Sequence, residues 1–145
     1  MFVDNLYDLY AAAFAVSGEM KNNGFTKDSI DLKMAFNAET LRWMDFKSGA
    51  ADFLEKGPGR NSTGIQIRIA APLLADFLET TEEAIDGKKE DAHFRFTHAE
   101  AISPFATLLC ISTASGSASS IFRYAENWKI EEIIPLSANI EWILY

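Results

Sequence analysis

The strongest constraint on the fold is a helix-breaking run, KGPG at residues 56–59, that ends a long stretch of helical periodicity. Residues 37–55 carry apolar side chains on two adjoining faces of a helix, and Asn37 at their start is a good N-cap. So broad an apolar surface predicts a helix that is buried on most sides. Because glycine and proline do not continue a helix, we place the main boundary of the chain in the polar loop 59–64.

The rest of the chain alternates between helical and extended patterns. Apolar spacing and turn residues predict helices at 3–17, 65–86 and 103–111, and strands at 92–97 and 139–144. Two or three strands make a poor sheet alone, so we expect these strands to complete a sheet whose other members lie elsewhere. The predicted fold class is therefore α/β, with a helical segment at 1–60 and an α/β part at 61–145.

Two local features refine these predicted helices. Pro72 predicts either a kink in the helix at 65–86 or the first turn of the helix proper. Ser103 at the N-cap and Pro104 at the first helical position are a combination that starts helices well, and we expect them to begin the next helix.

Composition and charge narrow the class of function. The 145 residues carry a formal net charge of −8, which argues against a nucleic-acid-binding protein because phosphate backbones are held mainly by Lys and Arg. A small anionic substrate is compatible with this charge, since a local pocket can be positive on an acidic protein. No segment has the length and apolarity of a membrane span, and we expect no signal peptide at the start, which lacks a basic leader.

Cys110 is the only cysteine of the chain. A single cysteine rules out an intrachain disulfide and a cysteine-rich zinc site. Because Cys110 falls in the apolar run ATLLCI, it is predicted to be a buried structural thiol.

His98 and Glu100 are separated by one residue, and they lie between the end of the predicted strand and the start of the next helix. In extended backbone two such residues point to the same side, and the positive end of the helix lies close by. An imidazole, free backbone N–H groups and a helix N-terminus together favour an anion. A carboxyl group beside a bound phosphate, kept protonated by that anion and by partial burial, can give its proton to a leaving alcohol. The pair therefore points to phosphate-ester cleavage.

Two other interpretations of these residues stay open. Glu100 could serve only as a capping carboxylate, because such acids are common near helix starts. A metal site would need His93 together with His98 and Glu100. However, His93 and His98 are five residues apart on one predicted strand and should face opposite sides. We therefore expect no metal, and we interpret His93 as a surface histidine or a core histidine with its hydrogen bonds made.

The segment FRFTHAEAISPFATLLCI resembles the C-terminal motif of the multiple inositol polyphosphate phosphatases. These enzymes are the His-Ala-Glu branch of the histidine acid phosphatases (branch 2 of the histidine phosphatase superfamily). Three more segments are similar to the family in the same order along the chain: LRWMDFKSGAADFLEKGPG, APLLADFLETTEEAI and IIPLSANIEWILY. The resemblance implies the C-terminal part of a histidine-phosphatase fold. Residues 1–60 would then be a helical cap segment, and 61–145 would belong to the α/β phosphatase domain.

The resemblance also implies a mechanism and its residues. Members of the family use a histidine nucleophile from an Arg-His-Gly motif, which becomes a phosphohistidine, and arginines that bind the phosphate. Here His98 would contact the transferring phosphoryl group, and Glu100 would donate the proton to the leaving inositol oxygen. The backbone of Ala99 would line the substrate pocket. Family substrates are phytate and other inositol polyphosphates, no metal or other cofactor is required, and the enzymes are usually exported.

The chain departs from the family in one major respect, because it contains no Arg-His-Gly motif. Its only histidines are His93 and His98. The nucleophile would therefore come from a missing N-terminal part of the phosphatase, in the same or another chain, and this chain alone is expected to be inactive. Two rival hypotheses are a non-catalytic ligand-binding or interaction fragment, and an unrelated small α/β domain in which His98 and Glu100 only cap a helix.

The phosphate-binding arginines of the family also lack counterparts here. Four of the five arginines of the chain do not map onto them: Arg60, Arg68, Arg95 and Arg123. Lys56 and Arg60, at the turn that ends the long helix, could reach a phosphate or could simply be solvated.

Overall fold

The regular structure in the described part of the chain is entirely helical. The computed structural model describes residues 2–26, 32–87 and 92–145. Its α-helices are α1 (Phe2–Ala15), α2 (Ser17–Asn22), α3 (Ala38–Glu55), α4 (Ile65–Arg68), α5 (Ala71–Ile85), α6 (Ala99–Leu108) and α7 (Ile130–Ile133), and short 3₁₀ helices lie at Leu32–Ala35 and Ile121–Glu126. A search of the described helices for a bilayer-spanning segment finds none with the required length and apolarity.

The α/β fold class predicted from the sequence is wrong, because the described residues contain no β-strand and no sheet. The predicted strands at 92–97 and 139–144 both lack regular secondary structure. The sequence alternation does not carry over into burial in the first of these segments, where every residue is exposed except Arg95, which is partly covered. A strand also needs a neighbour for its backbone N–H and C=O groups, and alternation alone does not supply one. The part of a histidine-phosphatase sheet implied by the resemblance is therefore absent from the described structure.

The chain divides into two compact units, Met1–Ser48 and Gly49–Tyr145, and the division falls inside α3. The organisation into 1–60 and 61–145 stays a prediction, because a compact unit is not yet an independently folding domain.

The first unit has no fully buried hydrophobic residue among its described residues. Its best-packed feature is a cluster of three rings, Tyr7, Tyr10 and Phe36, whose centroids lie 5.7–6.4 Å apart. The hydroxyl group of Tyr7 donates a hydrogen bond to Asp45 at 2.9 Å. The main hydrophobic core therefore belongs to the second unit.

The long helix predicted at 37–55 is confirmed as α3. The side-chain oxygen of Asn37 accepts a hydrogen bond from the backbone N–H of Thr40 at 2.8 Å, as an N-cap does. At the other end, the backbone N–H of Gly59 donates to the Phe53 carbonyl at 3.1 Å. Gly59 has a φ of +57°, a left-handed conformation that favours glycine, and so the chain turns away from the helix at this point.

The core of the second unit is built around the last turns of α3. Phe53 is fully buried, and its ring centroid lies 5.4 Å from that of Tyr124 and 5.7 Å from that of Trp128. The other buried apolar residues are Ala50, Ile67, Ala70, Phe105, Ala106, Ala114 and Ala118. The prediction that the 37–55 helix is buried on most sides is wrong, because Ala50 and Phe53 are its only buried residues. The rings that cover Phe53 reach only the end of the helix.

The segment predicted as one helix at 65–86 forms two, α4 and α5, and Pro72 stands in the first turn of α5. The next helix, α6, begins at Ala99 and not after Ser103. Ser103 is therefore not the predicted N-cap; it is fully buried inside the helix. Pro104 also lies inside α6, where its missing N–H removes one intrahelical hydrogen bond.

Cys110 is exposed, so the buried thiol predicted from its apolar neighbours is wrong. It follows the end of α6 and has a left-handed φ of 56°. In the apolar run ATLLCI only Ala106 and Thr107 are buried, and Cys110 lies beyond the end of α6.

Candidate functional site

The first turn of α6 presents the three residues of the His-Ala-Glu motif. His98 is the N-cap residue and has extended backbone (φ −133°, ψ −179°), and Ala99 and Glu100 are the first two helical residues. The His98 carbonyl accepts hydrogen bonds from the backbone N–H groups of Ala101 and Ile102 at 3.0 and 3.2 Å, which start the helix. The His98 side chain makes no capping hydrogen bond, so its ring does not serve as a helix cap.

His98 and Glu100 contact each other directly. Nδ1 of His98 lies 2.6 Å from Oε2 of Glu100, and the two side chains are 81% and 56% exposed. Because Nδ1 faces the carboxylate, the second ring nitrogen, Nε2, is turned away from it. No hydrogen bond joins Nε2 to any described residue. This nitrogen is therefore accessible to a ligand at the surface.

Lys56 reaches this pair from the turn that follows α3. Its Nζ lies 3.1 Å from Oε1 of Glu100 and 2.8 Å from Oδ1 of Asp52. The four-residue spacing of Asp52 and Lys56 places them on one side of the helix end. Lys56 and His98 bind different oxygens of the Glu100 carboxylate, so both oxygens have a partner. Asp52, Lys56, Glu100 and His98 thus form one continuous polar cluster, which we call the Lys56 cluster.

Ser103 fixes the distance between the two elements that build the Lys56 cluster. It lies on the same side of α6 as Glu100, since the two are three residues apart. Its buried hydroxyl group donates a hydrogen bond to the Lys56 backbone carbonyl at 3.1 Å. Helix α6 therefore holds Lys56 at two points, its backbone through Ser103 and its ammonium group through Glu100.

The surroundings of Glu100 favour the ionised carboxylate. Its own backbone N–H at the helix start, then Lys56, then His98 lower the pKa of Glu100 from 4.5 to about 2. The hydrogen bond to Asp52 raises the pKa of Lys56, and Glu100 adds to this effect. The protonated carboxyl group expected from the sequence is therefore not the state that the free protein favours, because Glu100 is half-exposed and surrounded by N–H donors and a cation.

Two of the arginines are engaged elsewhere with carboxylates of the same chain. Arg95 pairs with Asp76, and its guanidinium group lies 4.2 Å from the ring centroid of Phe77. Arg123 forms a two-pronged ion pair with Glu126, with a shortest distance of 2.7 Å. Neither arginine contributes to the Lys56 cluster.

The structure thus brings His98 and Glu100 together and places Ala99 between them on the helix start. Their catalytic roles, and the role of the Ala99 backbone, stay predictions. Lys56 was expected either to reach a phosphate or to be solvated, and instead it forms two ion pairs. Asp52 was missed, although its spacing to Lys56 is a visible signal in the sequence. The described residues hold no group of three or more His, Cys, Asp or Glu side chains arranged to bind a metal ion.

Comparisons with known proteins assign no family to this chain. No protein-family model matches this chain, and no curated protein or solved structure matches it significantly.

Proposed function

We propose that this chain supplies part of the active site of a phosphoric monoester hydrolase that acts on inositol polyphosphates such as phytate. The observation that carries the proposal is the contact between His98 and Glu100 at 2.6 Å, at the start of α6. The contact supports the proposal, because joint action of an imidazole and a carboxyl group on one phosphate requires the two groups to lie side by side. The proposed substrate class rests on the family resemblance, and the proposed pairing of His98 with Glu100 rests on their contact in the structure.

In the proposed reaction, the nucleophile is a histidine of an Arg-His-Gly motif carried by an N-terminal phosphatase segment, in the same or another chain. Its imidazole nitrogen attacks phosphorus, and the ester bond to the inositol oxygen breaks. His98 donates a hydrogen bond from its Nε2–H to a phosphoryl oxygen, and the backbone of Ala99 lines the pocket. Glu100, protonated in the bound state, gives its proton to the leaving oxygen. Water then hydrolyses the phosphohistidine and Glu100 accepts a proton from it.

The test is phosphate release from phytate at acidic pH by this chain combined with an N-terminal phosphatase segment that carries the Arg-His-Gly motif. We expect release by the mixture and none by this chain alone. Glu100→Gln should reduce turnover about 10²- to 10⁴-fold, because proton donation is lost, and should change the affinity for a phosphate analogue much less.

Glu126→Gln is a matched control, because Glu126 is also an ion-paired carboxylate at the surface of the second unit. It should leave turnover unchanged. A mixture with an intact nucleophile that releases no phosphate would refute the enzymatic proposal. Equal losses of binding and turnover in Glu100→Gln would refute the proton-donor role alone.

A second candidate function is a non-catalytic fragment that binds a phosphorylated ligand or a protein partner. The absence of an Arg-His-Gly motif from the 145 residues favours it. Under this alternative, phytate binds to the chain and binding weakens in His98→Ala, but no N-terminal segment restores turnover. Calorimetric titration with phytate, run beside the phosphate-release assay, separates the two functions.

A further inference from the structure

The Lys56 cluster contains a group that the phosphatase mechanism above does not use. Lys56 lies between two carboxylates and is the only lysine or arginine within ion-pairing distance of Glu100 among the described residues. Its side chain is only 26% exposed, whereas that of Glu100 is 56% exposed. The ammonium group is therefore held in place more firmly than the usual surface lysine.

We propose that Lys56 is a positioning residue of this site, whose ammonium group holds the Glu100 carboxylate in the free protein and turns to the phosphoryl oxygens when a phosphate monoester binds. This inference rests on the proposed function, since it concerns the same two residues of α6. It assigns to the turn after α3 a direct part in recognising the substrate.

The hydrogen-bonding capacity of Lys56 allows this change of partner. An ammonium group has three N–H donors, and contacts to Asp52 and Glu100 use two of them. The third can bind a phosphoryl oxygen before the bond to Glu100 is given up. Asp52 remains a partner throughout, because it belongs to the same helix end as Lys56 and lies closer to Nζ than Glu100 does.

The backbone of Lys56 limits the movement to its side chain. Ser103, which is fully buried, binds the Lys56 carbonyl at 3.1 Å, and Gly57 behind it packs against the buried indole of Trp128. A long, flexible side chain on a fixed backbone can exchange one anionic partner for another without disturbing the core.

The exchange would also prepare Glu100 for proton donation. The charged and titratable groups that face its carboxylate are Lys56 from the turn after α3 and His98 from the N-cap of α6, with Asp52 behind Lys56. Moving the Lys56 cation onto a phosphate removes one attraction for the ionised form, and the bound anion adds a repulsion. Glu100 then takes up one proton from solvent, and this is the proton that the leaving inositol oxygen receives.

The experiment follows the Glu100 carboxyl carbon by NMR in uniformly ¹³C-labelled chain, titrated with acid in the presence and absence of saturating phytate. Glu100→Gln assigns the signal. In the free wild-type chain we expect titration near pH 2, where the surroundings hold the pKa of Glu100. With phytate, the titration should move up towards the ordinary pKa of 4.5.

Lys56→Met should move the titration of Glu100 upwards even without phytate and should weaken phytate binding about tenfold to a hundredfold, because a charge-assisted contact is lost. Lys56→Arg should restore much of the affinity, since it keeps the cation. Lys129→Met is the matched control, because Lys129 forms an ion pair with Glu132 in the same unit. It should change neither quantity.

Circular dichroism of each variant checks that the helices are intact. The inference is overturned if phytate leaves the titration of Glu100 in place, or if Lys56→Met binds phytate as tightly as the wild type. In the second case, turnover by the wild-type mixture shows that the proposed function survives. In the converse result, Lys56→Met changes phytate binding and the titration of Glu100 as expected, but no mixture releases phosphate. That result would refute the phosphatase proposal and would support the role of Lys56 in a phosphate-binding protein.

Discussion

Gly57→Ala gives a sharp test of how the turn after α3 is packed. A methyl group at Gly57 would lie 2.8 Å from both Cε2 and Cζ2 of Trp128, and 3.0 Å from the carbonyl oxygen of Phe53. Favourable carbon–carbon contacts begin near about 3.5 Å, so a shift of about 0.7 Å is needed to remove the overlap. Trp128 is only 2% exposed and the Phe53 carbonyl is bound to the Gly59 N–H, so neither can give way easily.

Overpacking of this kind usually costs about 1–3 kcal/mol of unfolding free energy. For a unit of roughly a hundred residues, each kcal/mol lowers Tm by about 4–8 °C, so the expected fall in Tm is about 5–20 °C. Urea denaturation followed by circular dichroism measures the change in unfolding free energy directly. Gly18→Ala is the control, because no heavy atom of the described residues, other than the adjacent residues and the helix's own backbone, lies within 4 Å of the added methyl group. Gly18→Ala should not lower the unfolding free energy, since alanine is a better helix former than glycine and residue 18 lies in α2.

A double-mutant cycle identifies the cause of the Gly57→Ala effect. Trp128→Phe replaces the indole with a shorter ring, so it should reduce the cost of Gly57→Ala by at least half. The variant also removes the indole N–H, which is buried without a hydrogen-bond partner among the described residues, and this moderates its own cost. A Gly57→Ala cost below about 0.5 kcal/mol, or an equal cost in both backgrounds, would refute the packing argument.

Three further predictions concern the same unit. Phe53→Ala should cost about 3–5 kcal/mol in urea denaturation because Phe53 is the fully buried centre of the core, and a cost below about 1 kcal/mol would contradict that position. Ser103→Ala should lower the unfolding free energy by about 1–3 kcal/mol, since it leaves the Lys56 carbonyl without its hydrogen-bond donor. Ser103→Thr keeps a hydroxyl group and tests whether that group alone is sufficient to maintain the stability. The lowered pKa of Glu100 means that its contribution to stability is fully present above pH 4.5 and is lost as pH falls towards 2. Between these two pH values, the unfolding free energy of Glu100→Gln should therefore fall less steeply with decreasing pH than that of the wild type. An unchanged pH dependence would show that the Lys56 cluster does not form in solution.

The helical elements were predictable where local chemistry fixes them. The α3 helix has a cap at Asn37 and a breaker after Glu55, and both act within a few residues of the helix end. Pro72 likewise marks the first turn of α5, because its fixed φ suits that position. Such signals depend on the chain's immediate neighbours and can therefore be read without knowing the tertiary structure.

The start of α6 was not predictable in the same way. Ser103 and Pro104 have the local features of a helix start, yet the helix begins at Ala99. Tertiary packing prevails here, since Ser103 is fully buried and gives its hydroxyl hydrogen to the Lys56 carbonyl, far away in sequence. A local propensity is worth a few tenths of a kcal/mol to about 1 kcal/mol, and one buried hydrogen bond with its packing is enough to outweigh it.

The sequence by itself determined that His98 and Glu100 stand two residues apart and that these 145 residues carry no Arg-His-Gly nucleophile motif, because both are properties of residue order alone. Only the tertiary structure decided that the alternating segments at 92–97 and 139–144 form no sheet in the described residues, since β-pairing depends on a partner that a single segment does not specify. It also decided that Lys56 joins the His98 and Glu100 pair, because the contact needs the turn after α3 to lie against α6, where Ser103 binds the Lys56 carbonyl.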